Sequence, residues 1–500
     1  MGVMRFLIPP SATPEGWPEV YRAYISGIDG RVFPTRVEVD SNLMVCRRHS
    51  NESGRLNVAW PVAGFGRPVL CTSSLVERDA PYVLTVELAR GKISQVRDQL
   101  GAWEIAGMTV PVEFGPVHEE AHRLFARAAA RQENPAEASR IAQDALATAC
   151  RAAELLTQAY VRQRLMVRRR RGNGLPVVLG CQLSPALPDA VWSGALTHAF
   201  NAAFVPIEWR HIEPREGEYH WELNDAQVEW CRENKLLAFG GPLVDLAPDG
   251  VPEWLWQWDQ DFFNLQSFFC DFVETAITRY IGRIRHWEVA ARMNTGGGLA
   301  LTEENRLTLV ARILEVTRQV DDENQLLLRI DQPWGDYQAR GQHQLSPLQF
   351  VDALVRSGVG LSGVNLEIAI GYRPRGSASR DLLEFSRLLD QWGSLGIPLA
   401  VTLAFPSSAD SDPKSHSDLE VEAPHWKGPW SHEAQAEWLE LYLPLLMAKQ
   451  SVTGIFWTHF SDALPHHFPH AGLLDPDGLR KPALDRIIRF RETYWKPDAE

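Results

Sequence analysis

Cysteine is scarce in this chain and is never arranged in close pairs. The six cysteines, Cys46, Cys71, Cys150, Cys181, Cys231 and Cys270, contain no C-x-x-C spacing. This spacing fits reduced, buried thiols better than a disulfide framework or a zinc site. Basic charge is also in deficit. The formal net charge is -13, which argues against a nucleic-acid partner, since that would need a cationic face. No apolar run approaches the roughly 18 residues of a membrane span, so no membrane partner is expected. The phosphate-binding pattern G-x-x-x-x-G-K-[ST] does not occur, and no cofactor is assigned. The first residues, MGVMRFLIPPSATPEGW, lack a long apolar core and a small-residue cleavage site. A cytoplasmic location is the expectation, unless a leader has been removed. The sequence leaves the oligomeric state open.

The chain has 500 residues, 45% of them hydrophobic and 23% charged, enough for two or three domains with large cores. Residues 1–115 show β-like runs closed by turn residues, such as Arg36–Val39, Arg55–Trp60 and Tyr82–Leu88. In the last run Val83, Thr85 and Glu87 alternate with Leu84, Val86 and Leu88, as in a half-buried antiparallel strand. A small β-sandwich is predicted there, either carbohydrate-binding-like or a structural cover for the C-terminal domain. Residues 116–174 form a helical connector, broken into two helices at Glu133-Asn134-Pro135. In the second helix Ile141, Ala145, Ala149, Ala152 and Leu156 define an apolar stripe. The run Arg168–Arg171 followed by Gly172-Asn173-Gly174 reads as a solvated hinge at the domain boundary.

From 175 to 500, short β-branched runs alternate with amphipathic helices. Eight strands are predicted near 176–181, 200–205, 236–240, 284–290, 326–331, 362–369, 398–404 and 453–458. The fold class is therefore α/β: a (β/α)8 TIM barrel, preceded by a small β-sandwich domain and a helical connector. Its active site would lie at the C-terminal strand ends.

Three landmarks carry a family resemblance. The first is Phe200-Asn201 with Trp209-Arg210-His211-Ile212-Glu213-Pro214 and Gly217-Glu218-Tyr219-His220-Trp221. The second is Ile284-Arg285-His286-Trp287-Glu288-Val289. The third is Gly454-Ile455-Phe456-Trp457 with Gly472–Asp475 and Lys481-Pro482-Ala483. In order and spacing they resemble the second, fourth and eighth strands of glycoside hydrolase family 10, the xylanase-like barrels. The resemblance covers the barrel only. It implies a carbohydrate-active protein acting on the glycosidic bonds of an oligosaccharide or polysaccharide.

The departures from the family pattern bear on chemistry. The family's acid/base glutamate falls on Arg292, and its nucleophile, in I-T-E-L-D, falls on Leu403 of Val401-Thr402-Leu403-Ala404-Phe405. Third-strand histidines become Gly241 and Asp245-Leu246, and second-strand asparagine and lysine become Val205 and Glu208. A register that makes Glu367 the nucleophile fits less well than one in which it replaces a substrate-side glutamine. Both family glutamates are thus replaced.

Glycoside cleavage needs two carboxyl groups flanking the bond. The candidates to supply them are Glu288, Glu367 and Asp331, at inward positions near the mouth. Inward acids paired with Arg292 or Arg329 would instead be structural. Substrate contacts are assigned to Glu208, Trp209, Asp245, Arg292, Trp334, Tyr372, Trp457 and His459. Arg292 would suit an anionic substituent on a sugar, or a salt bridge to Glu288 or Glu367. Fifteen of the eighteen tryptophans follow residue 175, most of them expected in the core. His466, His467 and His470 cluster in the eighth loop, but with no strand-anchored acid beside them no metal is assigned. The leading reading is a glycoside hydrolase with a rebuilt carboxylate set. The rival is a carbohydrate-binding protein that kept the barrel and lost the chemistry.

Overall fold

A computed structural model describes residues 2–9, 16–170 and 176–495. The N-terminal part has two four-stranded sheets. One orders Arg36–Asp40, Leu43–Arg48, Gly2–Leu7 and Tyr82–Val83, and the other Val32–Phe33, Tyr24–Ser26, Arg55–Ala59 and Val69–Cys71. Alternate residues Met4, Phe6, Met44 and Cys46 of the first sheet share one core with Ile25, Leu56, Val58 and Leu70 of the second.

Helices α1 (Leu84–Ile105), α2 (Phe114–Ala129) and α3 (Pro135–Arg170) follow. The expected strand over 82–88 is corrected here: pairing stops at Val83 and a helix begins at Leu84. Its first turns are buried on every side, Thr85 at 1% exposure and Glu87 at 3% as well as Leu84, Val86 and Leu88 at 0%. A segment buried all round has no solvent face to impose a 3.6-residue period, so the alternation of Leu84, Val86 and Leu88 was accidental. The helical part thus starts near 84, ahead of the expected 116. The stripe Ile141, Ala145, Ala149, Ala152 and Leu156 is buried. Of the arginine run, Arg168 is docked, its Nη1 donating to the carbonyls of Met447 (2.6 Å) and Lys449 (2.8 Å). Arg171–Gly174 lie outside the described residues.

The barrel strands are β1 (Val178–Gln182), β2 (Ala202–Val205), β3 (Leu237–Gly240), β4 (His286–Ala291), β5 (Gln325–Asp331), β6 (Gly363–Ala369), β7 (Leu399–Ala404) and β8 (Val452–Trp457). Each bound lies within two residues of its expected place. All pairings are parallel, and β8 pairs back onto β1 (Trp457 with Cys181), so the barrel is closed. Phe204, Phe239 and Phe456, with Ala202, Leu327 and Ala400, fill its lower interior. Outward residues such as Leu328, Ile330, Leu366, Ile368, Val401 and Leu403 pack on the surrounding helices.

The N-terminal part is joined to the barrel by buried polar contacts. Tyr24 donates to Asp336 (2.6 Å), which also pairs with Arg380 (2.7 Å), and Lys92 pairs with Asp381. No helix among the described residues is long and apolar enough to cross a membrane.

Candidate functional site

Strand alternation puts Glu288 of β4, Arg329 and Asp331 of β5, Asn365 and Glu367 of β6 and Thr402 of β7 inside the barrel, above the phenylalanine layer. These groups form an alternating chain of charges. Arg329 Nε lies 2.6 Å from Glu288 Oε1, and its Nη1 lies 3.3 Å from Glu367 Oε2. Arg292 Nη2 donates to both oxygens of Glu367 at 3.1 Å, and Nη1 to Asp245 Oδ2 at 2.5 Å. The remaining oxygen of Glu288 accepts from Asn365 Nδ2 (2.6 Å), which also reaches the Thr402 hydroxyl (2.9 Å). Asp331 stands beside the chain and accepts from the Thr295 hydroxyl at 2.9 Å.

Burial decides which of these groups can meet a ligand. Glu288 and Asp331 are 0% exposed and Glu367 3%. Only Asp245, with 22% of its side chain exposed, reaches solvent. Burial pushes the Glu288 carboxyl up, against the pull of Arg329 and Asn365. Burial, reinforced by Glu367, raises Asp331 to about 6, while Arg292 and Thr295 oppose the shift. For Arg292, burial disfavours the charge, but Asp245 and Glu367 outweigh it and the guanidinium stays protonated. Arg292 also has a left-handed backbone, φ 58°, directly after β4. A non-glycine residue holds that conformation only where its surroundings fix it, here through two carboxylates.

A cleft opens at the C-terminal ends of the strands, bordered among others by Gln182, Thr458, Arg292, Arg329, His459 and His467. Among the described residues, its carboxylates are Glu208, Asp245 and Asp249, and each has a cationic or imidazole partner. These are His211 (2.7 Å), Arg292 and Arg210 (3.8 Å) respectively. Glu288, Glu367 and Asp331 lie beneath the guanidinium layer and do not border the cleft.

Of the expected substrate contacts, Glu208, Trp209, Asp245, Arg292 and His459 border the cleft. Trp209 offers no ring face, because it is 1% exposed, stacks on Phe272 at 4.6 Å and donates to Glu213. Trp334, Tyr372 and Trp457 lie elsewhere. Trp334 packs under Arg380 (5.0 Å), beside the junction with the N-terminal sheets. Tyr372 is buried and donates to the Pro469 carbonyl (3.0 Å). Trp457 has the outward parity of β8 and donates to the Ala471 carbonyl (2.7 Å). Strand-end position alone did not give the parity, since Gly454–Trp457 is apolar throughout. Leu403 is corrected in the same way. It faces the helices, and the inward residues at that level are Thr402 and Ala404.

Acids carried on loops, not on strands, accompany the histidines of the eighth loop. His466 Nε2 lies 2.9 Å from Asp412, and His459 Nε2 lies 3.0 Å from Asp462. Candidate ligand atoms of His459, Asp462 and His466 fall within 4.8 Å of one another. They do not converge on an ion, because the two rings stack face to face, 4.3 Å apart and 6° from parallel. Asp462 is also neutralised by Lys481 at 2.5 Å and accepts from the Gly472 amide. Burial lowers His459 to about 4, with Asp462 opposing, so the imidazole is neutral at pH 7. Thr295, Asn365, Asp462 and Lys481 escaped sequence reading because small polar residues and a distant lysine carry no local signal.

The family model described as glycosyl hydrolase family 10 matches residues 199–364, from the end of the helix before β2 into β6. Endo-1,4-beta-xylanase B of Thermotoga neapolitana is 21% identical over 201 residues, 39% of this chain and 55% of that protein. The chain thus spans about half the length of this curated relative. Two solved structures are similar at 18% identity and a TM-score of 0.49: native xylanase 10B from Thermotoga maritima and xylanase 10B from Thermotoga petrophila RKU-1 in complex with xylobiose. Both alignments cover 67% of this chain, and 97% and 96% of those chains respectively.

Proposed function

We propose that the C-terminal cleft of this barrel, part of which matches the glycosyl hydrolase family 10 model, recognises a saccharide without that family's two-carboxylate hydrolysis. The observation that carries this reading is Arg292. It occupies the place that the resemblance gives to the acid/base glutamate, and it is bonded to Asp245 and Glu367. A general acid must deliver a proton to the leaving oxygen, and a guanidinium that stays charged at any working pH cannot. On β7 the inward Thr402 and Ala404 offer no carboxylate nucleophile. Glu288 and Glu367 then serve to hold the two arginines, with Asp331 bonded to Thr295 beside them, instead of flanking a glycosidic bond. The test is to titrate the protein with neutral xylo-oligosaccharides by calorimetry and to analyse the same mixtures for new reducing ends. Saturable binding without cleavage is expected. Absence of binding to any saccharide overturns the reading.

A second reading, a hydrolase with a rebuilt carboxylate set, draws on one observation. Asp245 and Glu208 both border the cleft, and both retain exposed side-chain area. If that reading holds, reducing ends appear, and Asp245→Asn or Glu208→Gln slows their release at least about a hundredfold.

A further inference from the structure

Three residues that border the cleft each carry a buried nitrogen without a hydrogen-bond partner. Arg292 Nε, Arg329 Nη2 and His467 Nε2 are all buried and unpartnered, and all three residues border the cleft. The two arginines are themselves 3% and 5% exposed. Buried polar groups are almost always satisfied, so three unsatisfied nitrogens on residues around one opening, two of them obligatory guanidinium donors, mark a place prepared for an acceptor. The carboxylates of the charge chain engage the other guanidinium nitrogens: Nη1 and Nη2 on Arg292, Nε and Nη1 on Arg329. The side chains acting on His467 are Arg292, Arg375, Arg329 and His416, all of one sign, and together with burial they keep its imidazole neutral. Arg375 is in turn paired with Asp418, and Asp245 is the one carboxylate of the chain exposed at the cleft.

We infer that this cleft selects saccharides bearing a carboxylate, that is uronates, through Arg292, Arg329 and His467. The inference rests on the saccharide reading above and narrows it to a substrate class. A carboxylate only accepts hydrogen bonds, and charge-assisted bonds to guanidinium are the stronger kind. A neutral sugar hydroxyl accepts less strongly and brings its own donor into a donor-rich floor.

The test is a set of calorimetric titrations of the full chain at pH 7 and low salt. The ligands are a neutral xylo-oligosaccharide, the same oligosaccharide bearing a glucuronic acid branch, its methyl ester, and a sugar phosphate. The acid is expected to bind at least tenfold more tightly than the ester or the neutral oligosaccharide, with the advantage shrinking as salt is added. His467→Phe, its fold checked by circular dichroism, is expected to lower the acid-to-ester ratio. Equal binding of acid, ester and neutral sugar overturns the uronate inference and leaves the saccharide reading standing. A sugar phosphate that binds as tightly as the acid also overturns it, since charge alone would then be recognised. If none of the sugars binds, both fail.

Discussion

At Arg292 backbone and side chain pull in opposite directions. The left-handed φ of 58° costs on the order of 1–3 kcal/mol, and the contacts to Asp245 and both oxygens of Glu367 offset it. Arg292→Met removes the cation and leaves Glu367 buried beside Asp331 with only Arg329 to balance it. Such a break costs about 3–5 kcal/mol, so the urea midpoint should fall sharply. A loss below about 1 kcal/mol would show that the chain of charges does not hold this residue. Asp331 makes a prediction in pH. Its folded carboxyl titrates at about 6 against an ordinary value of 3.8. The native state therefore holds this proton more tightly than the unfolded chain does. Asp331's contribution is fully present below about pH 4 and is lost as pH rises through about 6. The loss is of the order of 3 kcal/mol. Asp331→Asn should flatten this part of the stability profile, measured by urea unfolding between pH 4 and 8. An unchanged slope would place the titration elsewhere.

The elements differ in how far the sequence reveals them. The barrel strands were legible because each is a short, mostly apolar run between helical stretches, and because β5 and β6 place charged or amide residues at alternate positions toward their C-terminal ends. The inward placing of Glu288, Asp331 and Glu367 was legible in this way, whereas Asn365 was not singled out. The alternation did not tell that Arg329 bridges Glu288 and Glu367, since this depends on how β4, β5 and β6 stagger against one another. Leu403 and Trp457 were misplaced because their strands are almost wholly apolar, with a single threonine each, so parity leaves little signature in the sequence. Helix α1 was missed at its start for the related reason that it is buried on all sides. Its position has a checkable cause. Gly91 lets the helix backbone approach the strand Val69–Cys71, and a Cβ there would run into the Cys71 carbonyl and the Thr72 backbone. Gly91→Ala normally favours a helix, yet here it should destabilise by roughly 1–3 kcal/mol, the usual effect of overpacking. A stabilised variant in thermal unfolding would mean that α1 does not sit against that strand.

On the scale of the whole molecule, the N-terminal sheets and helices are not an appendage carried beside the barrel. Lys92 of α1, 2% exposed, pairs with Asp381 of the barrel, itself 7% exposed. Arg380, its neighbour in the chain, pairs with Asp336, and Asp336 accepts from Tyr24 of the N-terminal part. Backbone amides of Arg67 and Val69 donate to the carbonyls of His425 and Ser379, both at 2.8 Å, so the joint is made of main chain as well as side chains. Separating the two parts would expose these groups without partners, at a cost of several kcal/mol for each unpaired ion. The two parts should therefore unfold together. Far-ultraviolet circular dichroism, dominated by the helices, and tryptophan fluorescence, dominated by the barrel, should report one coincident thermal transition. Lys92→Ala leaves Asp381 unpaired inside the joint and should lower that transition while keeping it single. Two resolved transitions in the unmodified protein would show that the parts are independent. The N-terminal part would then be free to act as a separate binding module.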